Sequence, residues 1–334
     1  MTIAMLAELD LPRIHAALQD CPVGHTVDYH LQVASTMPLA HQRATDPTVR
    51  SGTLVVAEEQ TAGRGRRQRR WETPPGQALL ISLILKPPLP FPIQQIPMAA
   101  GLVAVAAITK QLPELQGQVG LKWPNDLLIG HNMADAGKIG GILIESNFYG
   151  AALGHVIVGM GLNVQQAPAM LPQAPPGAPS ATSLRHYMQS NGIETAENSK
   201  LDRTALLIAL CQTWATLLDP TTLDPTQAAQ TDATESPNQI FESNLVWQTA
   251  TAGSPLAIVA RWRHHLWTLG HKVAVQVADT AEGSVPPPIC GTAVDVTNDG
   301  QLVVHADNGD VHTFDAGDVS VRMARPASSH LPPT

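Results

Sequence analysis

The densest chemistry in the sequence lies at residues 63–71, GRGRRQRRW. Arg64, Arg66, Arg67, Arg69 and Arg70 place five of the chain's 20 Lys and Arg residues within seven positions. Such a cluster repels itself unless an anion neutralises it. The guanidinium fork meets phosphate or carboxylate oxygens two at a time, and Gly63 and Gly65 permit close approach of backbone to a ligand. Two readings stand: a loop that wraps an anion, or a basic tract facing nucleic acid. A dinucleotide-binding GxGxxG is excluded, because Gln68 stands where its last glycine would be.

Three more stretches carry polar groups into apolar surroundings. In LKWPNDLL (121–128), Pro124 fixes φ and pushes Trp123 toward extended geometry. Lys122 then ends a strand, and Asn125 and Asp126 open a turn. Asp126 is either a plain turn residue or, with Lys122 at the rim of an apolar sheet, part of a site for phosphate or metal-bound phosphate. In GKIGGILIE (137–145), Lys138 starts a strand whose Gly140 and Gly141 mark a place where a ligand or another backbone approaches. Lys138 is either solvated or aimed at an anion. VGMGLNV (158–164) repeats the pattern with Gly159, Gly161 and Asn163.

The elements that must position these residues are legible from hydrophobic runs and turn residues. Strands are predicted at 52–59, 78–86, 118–122, 138–146 and 154–163. A helix is predicted at 95–112, with Lys110 in its last turn and Pro113 beyond it. Further helices are predicted at 181–191, 201–218 and 255–269, and the Pro-rich stretch 167–179 is an extended loop. Residues 1–34 read as a short lead-in, and 219–252 as an inserted segment without periodicity. From 271 the polar/apolar alternation and the turn pairs Asp299-Gly300 and Asn308-Gly309 predict a small all-β barrel. The domains are therefore 1–270, 271–325 and a tail at 326–334.

Composition narrows the function. The 334 residues carry a net charge of −8, and only 14 % are charged, against about 25 % in a typical domain. That argues against a general nucleic-acid coat, and 4 % aromatic residues leave few stacking platforms. Cys21, Cys211 and Cys290 form no CxxC, so neither a zinc knuckle nor a disulfide framework is indicated. The apolar runs 78–85 and 98–109 are shorter than the ~20 residues that span a bilayer. The first residues do not resemble a secretory signal. A cytoplasmic chain with no membrane partner is expected.

Together, and in this order, the motifs resemble the biotin–protein ligase family. The resemblance rests on Ser35-Thr36, EQTAGRGRRQRRW at 59–71, KWPNDLL at 122–128, GKIGGILIE at 137–145, GMGLN at 159–163 and GDVSVR at 317–322. It runs from about residue 30 to 323 and is poor over 165–180 and 219–252. It implies an α+β fold: a mixed central sheet flanked by helices, of the class II synthetase-like type, plus a small C-terminal SH3-like β-barrel. It implies a biotin–[acetyl-CoA-carboxylase] ligase that forms biotinyl-5′-AMP from biotin and ATP with Mg²⁺. The biotin then passes to a lysine of the biotin carboxyl carrier protein.

The resemblance also implies roles. Ser35, Thr36, Met37 and Gln60 would hold the biotin head group, with Gly141, Gly159 and Gly161 letting the sheet floor approach its rings. Arg64, Gly65 and Arg66 would fold over the activated intermediate, Arg66 taking the phosphate. Lys138 would meet the carboxylate–phosphate junction. Lys122 and Asp126 would serve phosphate, Mg²⁺ and lysine orientation. Arg67, Trp71, Asn125 and Asn163 would border the nucleotide, Trp71 walling the adenine, and Arg322 would reach the ATP phosphates.

Two positions depart from the family pattern: Met37 stands where Asn usually follows Ser-Thr, and Gln68 replaces a glycine. The second should restrict φ in the loop. Some family members also repress transcription through an N-terminal DNA-binding domain. Only 34 residues precede Ser35, so no DNA binding is expected, while the oligomeric state stays open. The alternatives are a lipoate or octanoyl ligase or transferase of the same fold, and a non-enzymatic nucleic-acid-binding protein.

Overall fold

The structure is a computed structural model that describes residues 8–175, 177–193, 201–219, 255–277, 286–316 and 319–323. The expected insertion at 219–252 falls outside these residues except for Asp219, as does the 326–334 tail.

Seven strands form one mixed sheet: β1 (Val27–Val33), β2 (Leu54–Gln60), β3 (Ala78–Leu85), β4 (Val119–Lys122), β5 (Asp126–Ile129), β6 (Gly137–Tyr149) and β7 (Ala152–Asn163). Their order is β1-β2-β3-β7-β6-β5-β4. β1 and β2 are parallel and every other pair is antiparallel. The five predicted strands are β2, β3, β4, β6 and β7.

Two expectations need correction. The lead-in 1–34 contains a helix, α1 (Leu11–Leu18), and the edge strand β1. α1 has only eight residues, too few for a clear period, whereas β1 carries a strict alternation of Val27, Tyr29, Leu31 and Val33 with Asp28, His30 and Gln32 that marks it as a strand. Asp126 starts β5 and does not remain in the turn, so β4 and β5 form a hairpin closed by the Lys122–Asp126 pair.

The helices follow their sequence signals. α2 (Thr36–Ala44) leaves the end of β1, and α3 (Ile96–Gln111) is apolar all round because it is buried in the core. α4 (Leu184–Ser190) and α5 (Arg203–Leu218) start at Ser183 and Asp202, whose side chains accept the His186 and Ala205 backbone N–H groups at 3.1 and 2.9 Å. α6 (Pro255–His265) follows.

Side-chain alternation gives the sheet two faces. On β3 and β7, Leu79, Ile81, Leu83 and Leu85 and Val156, Val158, Met160 and Leu162 join α3 and α5 in the main core. On the opposite face, Ile84 and Ile157 pack with Val55 under Met37, Ala40 and Ala44 of α2. Beyond Met37 that second face opens into the site.

The C-terminal strands β8 (Lys272–Val277), β9 (Ile289–Val296), β10 (Leu302–Ala306), β11 (Val311–Phe314) and β12 (Val319–Met323) form an antiparallel sheet in the order β11-β10-β9-β8-β12. Val273, Val275, Ala293, Leu302 and Val304 are buried in the same core cluster as α3. The expected small barrel takes the form of this five-stranded sheet.

Candidate active site

The KWPND hairpin presents Asp126 between two lysines. Lys138 on β6 lies 2.5 Å from Asp126 Oδ1, and Lys122 lies 3.9 Å from Oδ2. The register shift between Leu127 and Leu128 in the β5–β6 ladder places Lys138 beside this hairpin. Asn125 is fixed by its Nδ2 donating to the Ile142 carbonyl at 2.9 Å, and its Oδ1 accepts from Arg66 Nη1 at 3.2 Å.

The arginine loop folds on itself. Gly65 N–H donates to Arg69 O at 2.7 Å and Trp71 N–H to Gly63 O at 3.0 Å, with a tight helical turn over Arg66–Gln68 between them. Gln68 was expected to restrict the loop. The left-handed residue is its neighbour Arg67, at φ 55°, a conformation costly for a residue with a Cβ.

These groups border a cavity of about 310 Å³, within the range of small-molecule sites. Its lining includes five arginines, Lys122 and Lys138, against the carboxylates of Asp126 and Glu72. Burial lowers the pKa of Lys122 from the ordinary lysine value, with Lys138 and the arginines adding to that effect and Asp126 opposing it. Burial likewise lowers that of Arg66. A cavity so lined attracts anions, and binding one relieves the mutual repulsion. Arg66 Nη2 and Trp71 Nε1 are buried without a hydrogen-bond partner, which leaves polar capacity at the site.

At the other end, Gln60 Oε1 accepts from Thr36 N and Oγ1 at 2.8 and 3.1 Å, and Thr36 Oγ1 accepts from buried Ser82 Oγ at 2.8 Å. Ser82, which sequence reasoning missed, thereby orients the Thr36–Gln60 pair.

Most of the sequence-predicted residues meet here. Thr36, Met37, Gln60, Arg64, Gly65, Arg66, Arg67, Trp71, Lys122, Asn125, Asp126, Lys138, Gly141, Gly159, Gly161 and Asn163 all line the cavity. Ser35 and Arg322 do not, although Val321 beside Arg322 does.

Several of these residues also make contacts within the chain. A Cβ on Gly161 would sit 2.5 Å from Trp71 Cε2, and one on Gly159 would sit 2.4 Å from Met37 Sδ. The glycine floor thus receives this chain's own Trp71 and Met37, and the Trp71 ring lies over the floor with Lys138 Nζ 5.8 Å from its centroid. The Asn163 side chain donates to Thr182 O at 3.0 Å and accepts from Gln166 at 2.9 Å. It anchors the Pro-rich loop. Lys122 Nζ donates to Val321 O at 2.9 Å.

The Pro-rich stretch, read from sequence as an extended loop, supplies a wall: Pro172, Pro175, Ala178 and Pro179 border the cavity. Lys138 N–H donates to Ser180 O at 2.7 Å and Thr182 N–H to Lys138 O at 2.8 Å. The signal was its position, directly after the glycine strand β7.

Mg²⁺ has no protein cage here. Among the described residues no group of three or more His, Cys, Asp or Glu could hold a metal ion. Asp126 is engaged by Lys138, and Asn125 Oδ1 by Arg66. This donor set does not fit a resident Mg²⁺.

Residues 30–163 match the biotin/lipoate A/B protein ligase family, and residues 287–322 match the biotin protein ligase C-terminal domain. The chain belongs to this ligase family. It is 35 % identical over 207 residues to the bifunctional ligase/repressor BirA of Bacillus subtilis (strain 168), covering 61 % of this chain and 58 % of that protein. It is 34 % identical over 161 residues to the biotin–[acetyl-CoA-carboxylase] ligase of Mycobacterium tuberculosis, covering 47 % and 54 %. The chain thus spans less than two thirds of the length of these relatives. The fold is that of the biotin protein ligase of Aquifex aeolicus solved with biotin and ATP, at TM-score 0.56 and 23 % identity over 90 % of this chain and 99 % of that one. Both the motif-bearing sheet and the C-terminal sheet therefore have counterparts in the biotin/lipoate ligase family.

Proposed function

We propose that the chain is an ATP-dependent biotin–protein ligase. The observation that carries this reading is the single cavity in which the arginine loop, Lys138 and Asp126 adjoin the Thr36–Gln60–Ser82 network and the apolar Met37 and Trp71 side chains. One end suits a small polar head group with an apolar body; the other suits phosphate and carboxylate.

In the first step the biotin carboxylate oxygen attacks the α-phosphorus of ATP. The bond to the bridging oxygen breaks, and biotinyl-5′-AMP and pyrophosphate result. Two anions must approach each other, so cations have to offset their repulsion. Arg66 and Lys138 lie where they can do this, with Mg²⁺ arriving on the nucleotide as part of the substrate. Asp126, 2.5 Å from Lys138 Nζ, holds that amine at the cavity. In the second step a carrier lysine amine, having lost its proton, attacks the acyl carbon of the mixed anhydride and AMP leaves. The arginine loop and the Pro-rich wall shield the anhydride from water in between.

The carrier we propose is the biotin carboxyl carrier protein of acetyl-CoA carboxylase, with catalysis by positioning and electrostatics. The net charge of −8 disfavours an extended nucleic-acid interface, and we propose no operator binding.

Mass spectrometry of a carrier domain incubated with the chain, biotin and MgATP tests this. One biotinyl mass gain on one lysine is expected. No gain, or a gain with lipoate in place of biotin, overturns the reading.

A further inference from the structure

Lys122 was expected to serve phosphate, yet its amine points at the backbone of a strand 199 positions away. It is 5 % exposed, and its Nζ donates to Val321 O on β12. Its neighbours make similar ties. Trp123 N–H donates to Thr268 Oγ1 at 2.8 Å, Trp123 Nε1–H donates to Gly300 O at 2.9 Å, and Trp267 N–H donates to Leu121 O at 2.8 Å. Residues 121–123 thus hold the segment before β8, the turn between β9 and β10, and β12.

The Lys122 tie differs from the others in being charged. It lies 3.9 Å from Asp126, which lies 2.5 Å from Lys138. A continuous run of contacts, Lys138–Asp126–Lys122–Val321 O, therefore leads from the cavity to β12, and Val321 itself lines the cavity. An ammonium taken out of water is costly unless its donors are used. Here one donor is used on the Val321 carbonyl, and the Asp126 carboxylate, 3.9 Å away in the anion site, balances the charge. The next residue along β12 is Arg322.

We propose that Lys122 is a positioning residue: it holds β12 against the anion site, and through β12 it places Arg322 for the nucleotide. Lys122 makes no phosphate contact of its own. The proposal rests on the ligase reading for its substrate, and on the geometry alone for the tie.

The test combines Lys122→Met, Lys122→Gln and Arg322→Met. Initial rates of pyrophosphate release give KM for ATP and for biotin separately. Lys122→Met is expected to raise the ATP KM about 10-fold or more, the loss of one charge-assisted hydrogen bond, with the biotin KM unchanged. In the Lys122→Met/Arg322→Met double variant the ATP KM should equal that of Arg322→Met alone. Factors that multiply would mean that Lys122 meets the nucleotide directly, and would overturn the proposal.

Hydrogen exchange of the β12 amides needs no activity, so it also separates this proposal from the ligase reading. Faster β12 exchange in Lys122→Met is expected, while unchanged exchange overturns the proposal even if the unaltered chain shows no ligase activity. Should Lys122→Met fail to fold, Lys122→Gln carries the same measurements. Trp123→Phe removes a neutral tie and is expected to lower the melting temperature without the selective rise in ATP KM.

Discussion

The two faces of the seven-stranded sheet come from alternate residues of the same strands, and they differ in how their polar groups are settled. On the α3/α5 face Glu58 and Arg203 are buried as an ion pair, 2.8 Å apart, in which Glu58 Oε2 is balanced by the guanidinium charge and accepts no hydrogen bond. Glu58 Oε1 accepts from Leu9 N and Tyr29 Oη, each at 2.9 Å, and Arg203 Nη1 donates to Ala78 O at 2.8 Å. On the α2 face the strands carry Ser82, Gly159, Gly161 and Asn163, and the arginine loop above them leaves Arg66 Nη2 and Trp71 Nε1 buried without partners. One face closes its charge within the fold; the other keeps charge in excess. That difference separates structural polarity from functional polarity.

The largest expected effect tests the closed face. Glu58→Ala leaves the Arg203 guanidinium buried without its carboxylate, which should cost about 3–5 kcal/mol of stability. Denaturant unfolding reads this directly. The folded fraction should keep its ligand affinity; a loss of affinity at unchanged stability would reverse the assignment of the two faces.

Lys138→Ala tests the open face in the opposite sense. Adenylate formation, followed by pyrophosphate release, should fall about 10²–10³-fold, as when one preorganised donor to a developing charge is removed. Stability should barely change, because the Asp126 carboxylate left behind is partly exposed and still has Lys122 nearby. An unaltered rate takes Lys138 out of the machinery.

Gly161→Ala sharpens the reading of the glycine floor. The new methyl would lie 2.5 Å from the Trp71 ring, and overpacking of this kind costs about 1–3 kcal/mol. The expected outcome is a higher KM for biotin with the core intact, seen as a small change in melting temperature. Gly159→Ala should be milder, because its neighbour is the flexible Met37 thioether.

The sequence made the motif-bearing strands legible because their chemistry demands unusual types: clustered arginines, a lysine opening an apolar strand, glycines inside it. It could not show what fills the space a glycine leaves, and Trp71 and Met37 fill it here. Nor could it show the Lys122 tie, since a backbone carbonyl has no residue signature and Val321 lies 199 positions away. β1 was legible, because Val27, Tyr29, Leu31 and Val33 alternate with Asp28, His30 and Gln32; α1 escaped because eight residues carry little periodic signal. The wall formed by the Pro-rich stretch was hidden because proline marks an extended chain without saying what it faces.

The smallest effect concerns the far end of the α2 face. There His41 on α2 bridges His155 on β7 and Glu145 on β6, each at 2.9 Å. Burial, then His41 and Lys86, hold the pKa of His155 below the ordinary imidazole value of 6.5. A lowered folded pKa means the unfolded chain takes up more protons as pH falls below 6.5. The stability is therefore fully present above pH 6.5 and is lost as pH falls through the folded value. His155→Gln should flatten the fall in melting temperature between pH 7 and mildly acidic pH. A residual slope should remain from His265, whose pKa burial lowers to about 4. His41 lies one helical turn after Met37 on α2, so acid that loosens the His41–His155 contact should also raise the biotin KM in the unaltered chain and do so less in His155→Gln. Equal pH profiles in the two proteins would mean that this end of the α2 face, like the α3/α5 face, is settled independently of the site.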